Sequence, residues 1–133
     1  MKDLLFPWPP RRLRGARAAQ VAFRTIHVVA MALVLGGVAF GAPEERLRAP
    51  MAWTIASGVL LLAVELARSG VFLYQGAGVA TLLKLALVGL GFHWPAARLA
   101  LYLAATVVAS VGSHMNGRWR HYSFLDGKVL ERE

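Results

Sequence analysis

Four long apolar runs decide what this chain can become. They lie at about Ala18–Gly41, Met51–Ala67, Gly76–Trp94 and Ala96–His114. A helix rises 1.5 Å per residue, so about 20 residues cross a hydrocarbon layer about 30 Å thick. Four such helices and their short connections use most of the 133 residues. The expected fold is therefore all-α: a four-helix transmembrane bundle, with a basic arm at 1–17, the membrane domain at 18–114 and a tail at 115–133. A hydrophobic content of 57% and a mean hydropathy of +0.52 agree, being too high for a soluble domain of this size.

Charge sets the orientation. The formal net charge is +8. In a soluble protein that balance would point to nucleic acid. Here it flanks the apolar runs, so topology and anionic lipid explain it, and no nucleic-acid partner is expected. The arm through Arg24, the second connection and the tail hold eleven Lys and Arg; the first and third connections hold three. The positive-inside bias then puts both termini in the cytoplasm and makes the chain a multi-pass protein of the inner (cytoplasmic) membrane. Pro7, Pro9 and Pro10 break any helix in the arm. The run after it is too long for a signal peptide and lacks a small-residue cleavage site. In the tail, residues 121–131 around Asp126-Gly127 are expected to form a short β-hairpin that packs on the bundle or on a partner.

Each run carries ionisable groups that a bilayer makes expensive. The first has His27, in register with Val34, Gly37 and Gly41. In the second, Glu65 closes a stripe of Thr54, Ser57, Gly58 and Leu61. Lys84 sits in the third on a face with Ala77, Ala80, Thr81, Val88 and Gly91. His114 ends the fourth. With 1.5 Å per residue, Glu65 is expected roughly 6 Å below the cytoplasmic surface, Lys84 about 12 Å deep, and His27 about 5 Å deeper than Arg24. All four then fall in the cytoplasmic half. His27 and His114 are candidate axial ligands of haem b, since imidazole ligates haem iron and bundles hold cofactors between facing helices. Arg24, Arg118 and Arg120 are candidate partners for its propionates. Glu65 and Lys84 are expected to pair, to relay protons or to tune the pocket. The bland alternatives are a hydrogen-bonded core histidine, an interfacial histidine, ordinary flanking arginines and a structural ion pair. Trp8, Trp53, Tyr74, Trp94, Trp119 and Tyr122 read as an interfacial aromatic belt.

Other chemistries are excluded. The chain has no cysteine, which rules out disulfides, thiolate metal sites and covalent c-type haem. It has no P-loop, no G-x-G-x-x-G and no H-E-x-x-H. Four histidines over two surfaces make no tight zinc or copper site.

Thr25-Ile26-His27 with its trailing glycines, followed by Leu83-Lys84-Leu85 and His93, resembles the four-helix membrane family of oxygen-independent protoporphyrinogen oxidases and the related copper-resistance D-type membrane proteins. The tail from Ser113-His114 to Tyr122-Ser123 also resembles a motif at the end of small four-helix bacterial membrane proteins. The first resemblance implies haem or porphyrin binding through His27 and Lys84. The family's Arg-Leu-Phe-Val-Tyr-His run after the first span is absent, so tetrapyrrole binding is implied rather than the oxidase reaction. The expected function is a haem b-binding, cytochrome b-like electron-transfer subunit of a membrane redox complex, partnered by the lipid bilayer and other membrane or redox proteins. The alternatives are a porphyrin-acting oxidase and a non-catalytic accessory subunit.

Overall fold

The computed structural model describes residues 2–130. Met1 and residues 131–133 lie outside the described residues, and with them Glu131 of the expected hairpin. Six helices run in order: α1 (Lys2–Leu5), α2 (Ala16–Ala39), α3 (Glu44–Arg68), α4 (Gly76–His93), α5 (Arg98–His114) and α6 (Gly117–Arg120). Single 3-10 turns occupy Gly70–Tyr74 and Pro95–Ala97, and strands β1 (Tyr122–Ser123) and β2 (Lys128–Val129) follow α6. Four helical stretches, including Pro95–His114, are long and apolar enough to cross a membrane. Their outer faces expose Val21, Val28, Leu33, Leu82, Leu85, Val107 and Val111, among others. Apolar surface on that scale belongs in lipid, not water.

The chain divides into two compact units. One comprises residues 10–69 and is the α2–α3 hairpin. Gly15, at φ 76°, turns the arm into α2. Gly41, at φ 67°, ends α2 in a left-handed cap whose neighbour Ala42 donates its N–H to the Gly37 carbonyl at 2.8 Å. α3 starts at Glu44, seven residues before the start expected at Met51. Glu44 and Glu45 lie in its first turn, where carboxylates favour the helix dipole. Pro50 lies inside α3; it lacks the N–H for the Arg46 carbonyl, yet the helix continues through it. Along the seam, Ala30 and Val34 of α2 and Thr54 and Ser57 of α3 are buried. Gly37 abuts Leu47, and Gly58 abuts His27.

The second unit comprises residues 2–9 and 70–130. Its centre is the α4–α5 hairpin. The Tyr102 ring lies over Gly91, where a Cβ would come within 2.6 Å of it. Gly112 lies against Ala80. Buried positions of α5 are Tyr102 and Ala105, while Thr106, Ser110, Ser113 and His114 are exposed. The expected hairpin is present but short, with Tyr122 opposite Val129 and Ser123 opposite Lys128 in antiparallel register. It packs on the entrance to α4: Phe124 N–H donates to the Tyr74 carbonyl at 3.0 Å, and Gln75 bridges to Ser123. Phe6 stacks at a tilt on Tyr74, their centroids 6.1 Å apart.

Candidate functional site

His27 is the best-built polar group in the α2–α3 hairpin. It is the twelfth of the 24 residues of α2, so it sits at the middle of its helix. Its Nδ1 lies 3.0 Å from the Thr54 carbonyl oxygen and 3.1 Å from Ser57 Oγ. A carbonyl only accepts, so Nδ1 carries the proton, assigned here from its partner. The Ser57 hydroxyl donates to the Trp53 carbonyl at 2.6 Å, which turns its oxygen lone pairs toward the ring. In the neutral imidazole the lone pair then lies on Nε2. Gly58 clears the space beside the ring: a Cβ there would lie 3.2 Å from His27 Cε1.

One end of the same hairpin carries a second polar group. Gln20 Nε2 donates to Glu65 Oε1, and Arg68 Nη1 lies 3.4 Å from Glu65 Oε2. Glu65 is thus tied by a glutamine that the sequence did not single out and by an arginine one turn away. Arg11 crosses that end of α3, its N–H donating to the Arg68 carbonyl at 3.0 Å. Its guanidinium approaches the Ala67 carbonyl at 3.4 Å, a cation at the negative end of the helix dipole. Arg24 is exposed on α2, one turn before His27.

The other candidates belong to the α4–α5 unit. Lys84 is half-buried and is the ninth of the 18 residues of α4, again mid-helix. His114 is exposed and is the last residue of α5. Its Nδ1 lies 2.9 Å from the Ser110 carbonyl, one turn back, which again leaves the lone pair on Nε2. Arg118 is exposed on α6. His93 is exposed against the edge of Phe92. Within their own helices, His27 and Lys84 are central, whereas Glu65 and His114 are close to the ends.

Among the described residues no group of three or more His, Asp or Glu side chains gathers to hold a metal ion. A porphyrin supplies four nitrogens of its own and asks the protein for only one or two axial donors. An imidazole whose far nitrogen is locked to a backbone carbonyl is the arrangement that metal-ligating histidines use to fix their tautomer. His27 therefore fits a haem iron and fits no dedicated protein metal cage. Sequence reasoning found His27 and the Thr54–Ser57 stripe but did not connect them. The signal was available: two polar residues three apart on an apolar helix, antiparallel to the helix bearing His27.

No protein-family model, characterised protein or solved structure matches the chain.

Proposed function

We propose that this is a haem b-binding membrane protein that passes single electrons within a membrane redox complex, with His27 as the first axial ligand. The observation that carries this reading is the Nδ1–H bond from His27 to the Thr54 carbonyl, which leaves the neutral ring's lone pair on Nε2, the nitrogen that would ligate iron. Bound haem would supply one-electron redox chemistry; the chain's own residues would hold, orient and insulate it. His114 is the second ligand expected from residue type, and its Nδ1 is anchored in the same way. Lys84 is the second ligand implied by the family resemblance, and its mid-helix position matches that of His27 within its own helix. Arg24 and Arg118 are assigned to the propionates and Glu65 to proton balance at the site. Both termini are placed in the cytoplasm on the charge bias, which makes the host membrane the inner one.

Oxidised and reduced visible spectra of protein purified after haem-replete expression test this. The expected result is a Soret band that is lost in His27→Ala. Whichever of His114→Ala and Lys84→Ala alters the axial-ligand signature identifies the second donor. Protein that folds and carries no Soret band overturns the reading.

A second reading has its own observation. The two contacts of His27 Nδ1 join α2 to α3, which suffices for a structural clamp in an accessory subunit. Co-purification of stoichiometric partners without pigment supports that alternative. Turnover of protoporphyrinogen that disappears with Lys84→Ala supports a porphyrin-acting oxidase.

A further inference from the structure

The tail turns at an exposed apolar tip held by hydrogen bonds. Phe124 and Leu125 are 59% and 75% exposed, and Trp119 on the neighbouring turn is 63% exposed. The aromatic rings form a row, with Trp119 and Tyr122 centroids 6.4 Å apart and Tyr122 and Phe124 edge to face at 5.3 Å. Asp126 N–H donates to Ser123 Oγ at 3.1 Å, and Gly127 at φ 64° closes the turn, so the tip has a defined shape. The Phe124–Tyr74 hydrogen bond and the Gln75–Ser123 bridge fix it beside the first turn of α4.

Length places that turn in the bilayer. The 18 residues of α4 span about 27 Å, slightly less than a hydrocarbon core of about 30 Å. A span of that length, centred in the bilayer, puts the start of α4 at about the hydrocarbon edge. Leu125 is two residues beyond Ser123, at most about 7 Å along an extended chain. The interfacial layer on each side is itself about 5–7 Å deep. A tip pointing outward or along the surface stays within about that layer, and one pointing inward reaches the upper acyl chains. Arg118 and Lys128 are exposed beside it and Arg120 is half-buried, which suits phosphate headgroups.

We propose that Trp119, Phe124 and Leu125 form an interfacial anchor whose partner is the anionic lipid surface itself: the tip seats among headgroups and upper acyl chains, and the basic residues contact lipid phosphates. This does not depend on haem binding. The chain has no native cysteine, so a single environment-sensitive fluorophore can be placed at Leu125→Cys, or at Phe124→Cys should the first variant fold poorly. The full chain is reconstituted in vesicles of phosphatidylcholine and phosphatidylglycerol, with spin-labelled lipid in both leaflets so that insertion direction is immaterial. The expected result is a blue-shifted emission that spin-labelled lipid largely quenches and aqueous iodide does not. A fluorophore at Lys128→Cys, on the polar strand, is expected to be less quenched by the lipid. A tip fluorophore that iodide quenches and lipid does not overturns the proposal and leaves a protein partner, absent from such vesicles, as the occupant of this surface.

Discussion

Gly58 sets how closely α3 can approach the His27 ring. A Cβ there would stand 3.2 Å from Cε1 and 3.5 Å from Nδ1. That is tighter than ordinary van der Waals contact, so Gly58→Ala must push the ring or the helix by a few tenths of an ångström. The ring cannot yield freely, because Thr54 and Ser57 hold its Nδ1. Overpacking of this kind costs about 1–3 kcal/mol, partly offset by the better helix propensity of alanine, up to about 1 kcal/mol. The expected net outcome is a small loss of thermal stability and, on the proposed haem reading, a weakened or shifted Soret band at near-native helicity. Ser57→Ala provides the comparison. It removes one acceptor from Nδ1 and keeps the Thr54 carbonyl, so it is expected to cost about 1 kcal/mol with the pigment retained. Equal pigment content in wild type and Gly58→Ala would show that the ring does not respond to this contact.

Among elements, the small cap at the entrance to α4 carries a pH dependence through Tyr74. Tyr74 is half-buried, and its phenol is pushed above the ordinary value of 10.0 by burial and, secondarily, by the Asp126 carboxylate. An unfolded tyrosine loses its proton near pH 10 while the folded one still holds it. The stabilisation is therefore complete below about pH 10 and is lost as pH rises through the folded-state value. Melts of the wild type are expected to fall more steeply above about pH 10 than those of Tyr74→Phe, which has no phenol to ionise. Parallel curves for the two proteins would remove Tyr74 from the account. This cap also marks the boundary of what the residues alone disclose. The four spans were legible because a bilayer demands about 20 apolar residues, and the Asp126-Gly127 turn was legible because glycine adopts positive φ readily. The early start of α3 was not, since Pro50 and the charges before it read as a loop; glutamates favouring the helix dipole and the tolerance of α3 for one missing hydrogen bond prevailed. Nor was the Gln20–Glu65 contact legible, because the sequence offered Lys84 as the more obvious charge partner. At the candidate site, the residue types were readable but the carbonyl that fixes the His27 tautomer was not, since backbone acceptors leave no mark in a sequence.

At the scale of the whole chain, orientation decides which compartment each group meets. The two ends and the second connection carry eleven basic residues against three on the first and third connections. The bias is counted over Lys and Arg close to span ends, and acidic residues weigh little in it, so Glu44 and Glu45 do not offset Arg46 and Arg48. The margin is wide enough that removing a single arginine does not reverse it. Because the chain has no native cysteine, single-cysteine variants report the side directly. Arg12→Cys leaves ten basic residues against three, and Arg46→Cys leaves eleven against two, so neither variant reverses the sign of the bias it is used to measure. In intact cells a membrane-impermeant thiol reagent is expected to label Arg46→Cys, in the first turn of α3, and Ala96→Cys, in the 3-10 turn before α5. It is expected to label Arg12→Cys and Lys128→Cys only after lysis. The reverse pattern would place both termini outside and move the basic arm and the tail cap away from the anionic cytoplasmic leaflet. It would also put the Glu65–Arg68 end of α3 on the outer face, removing any role for that carboxylate in exchanging protons with the cytoplasm.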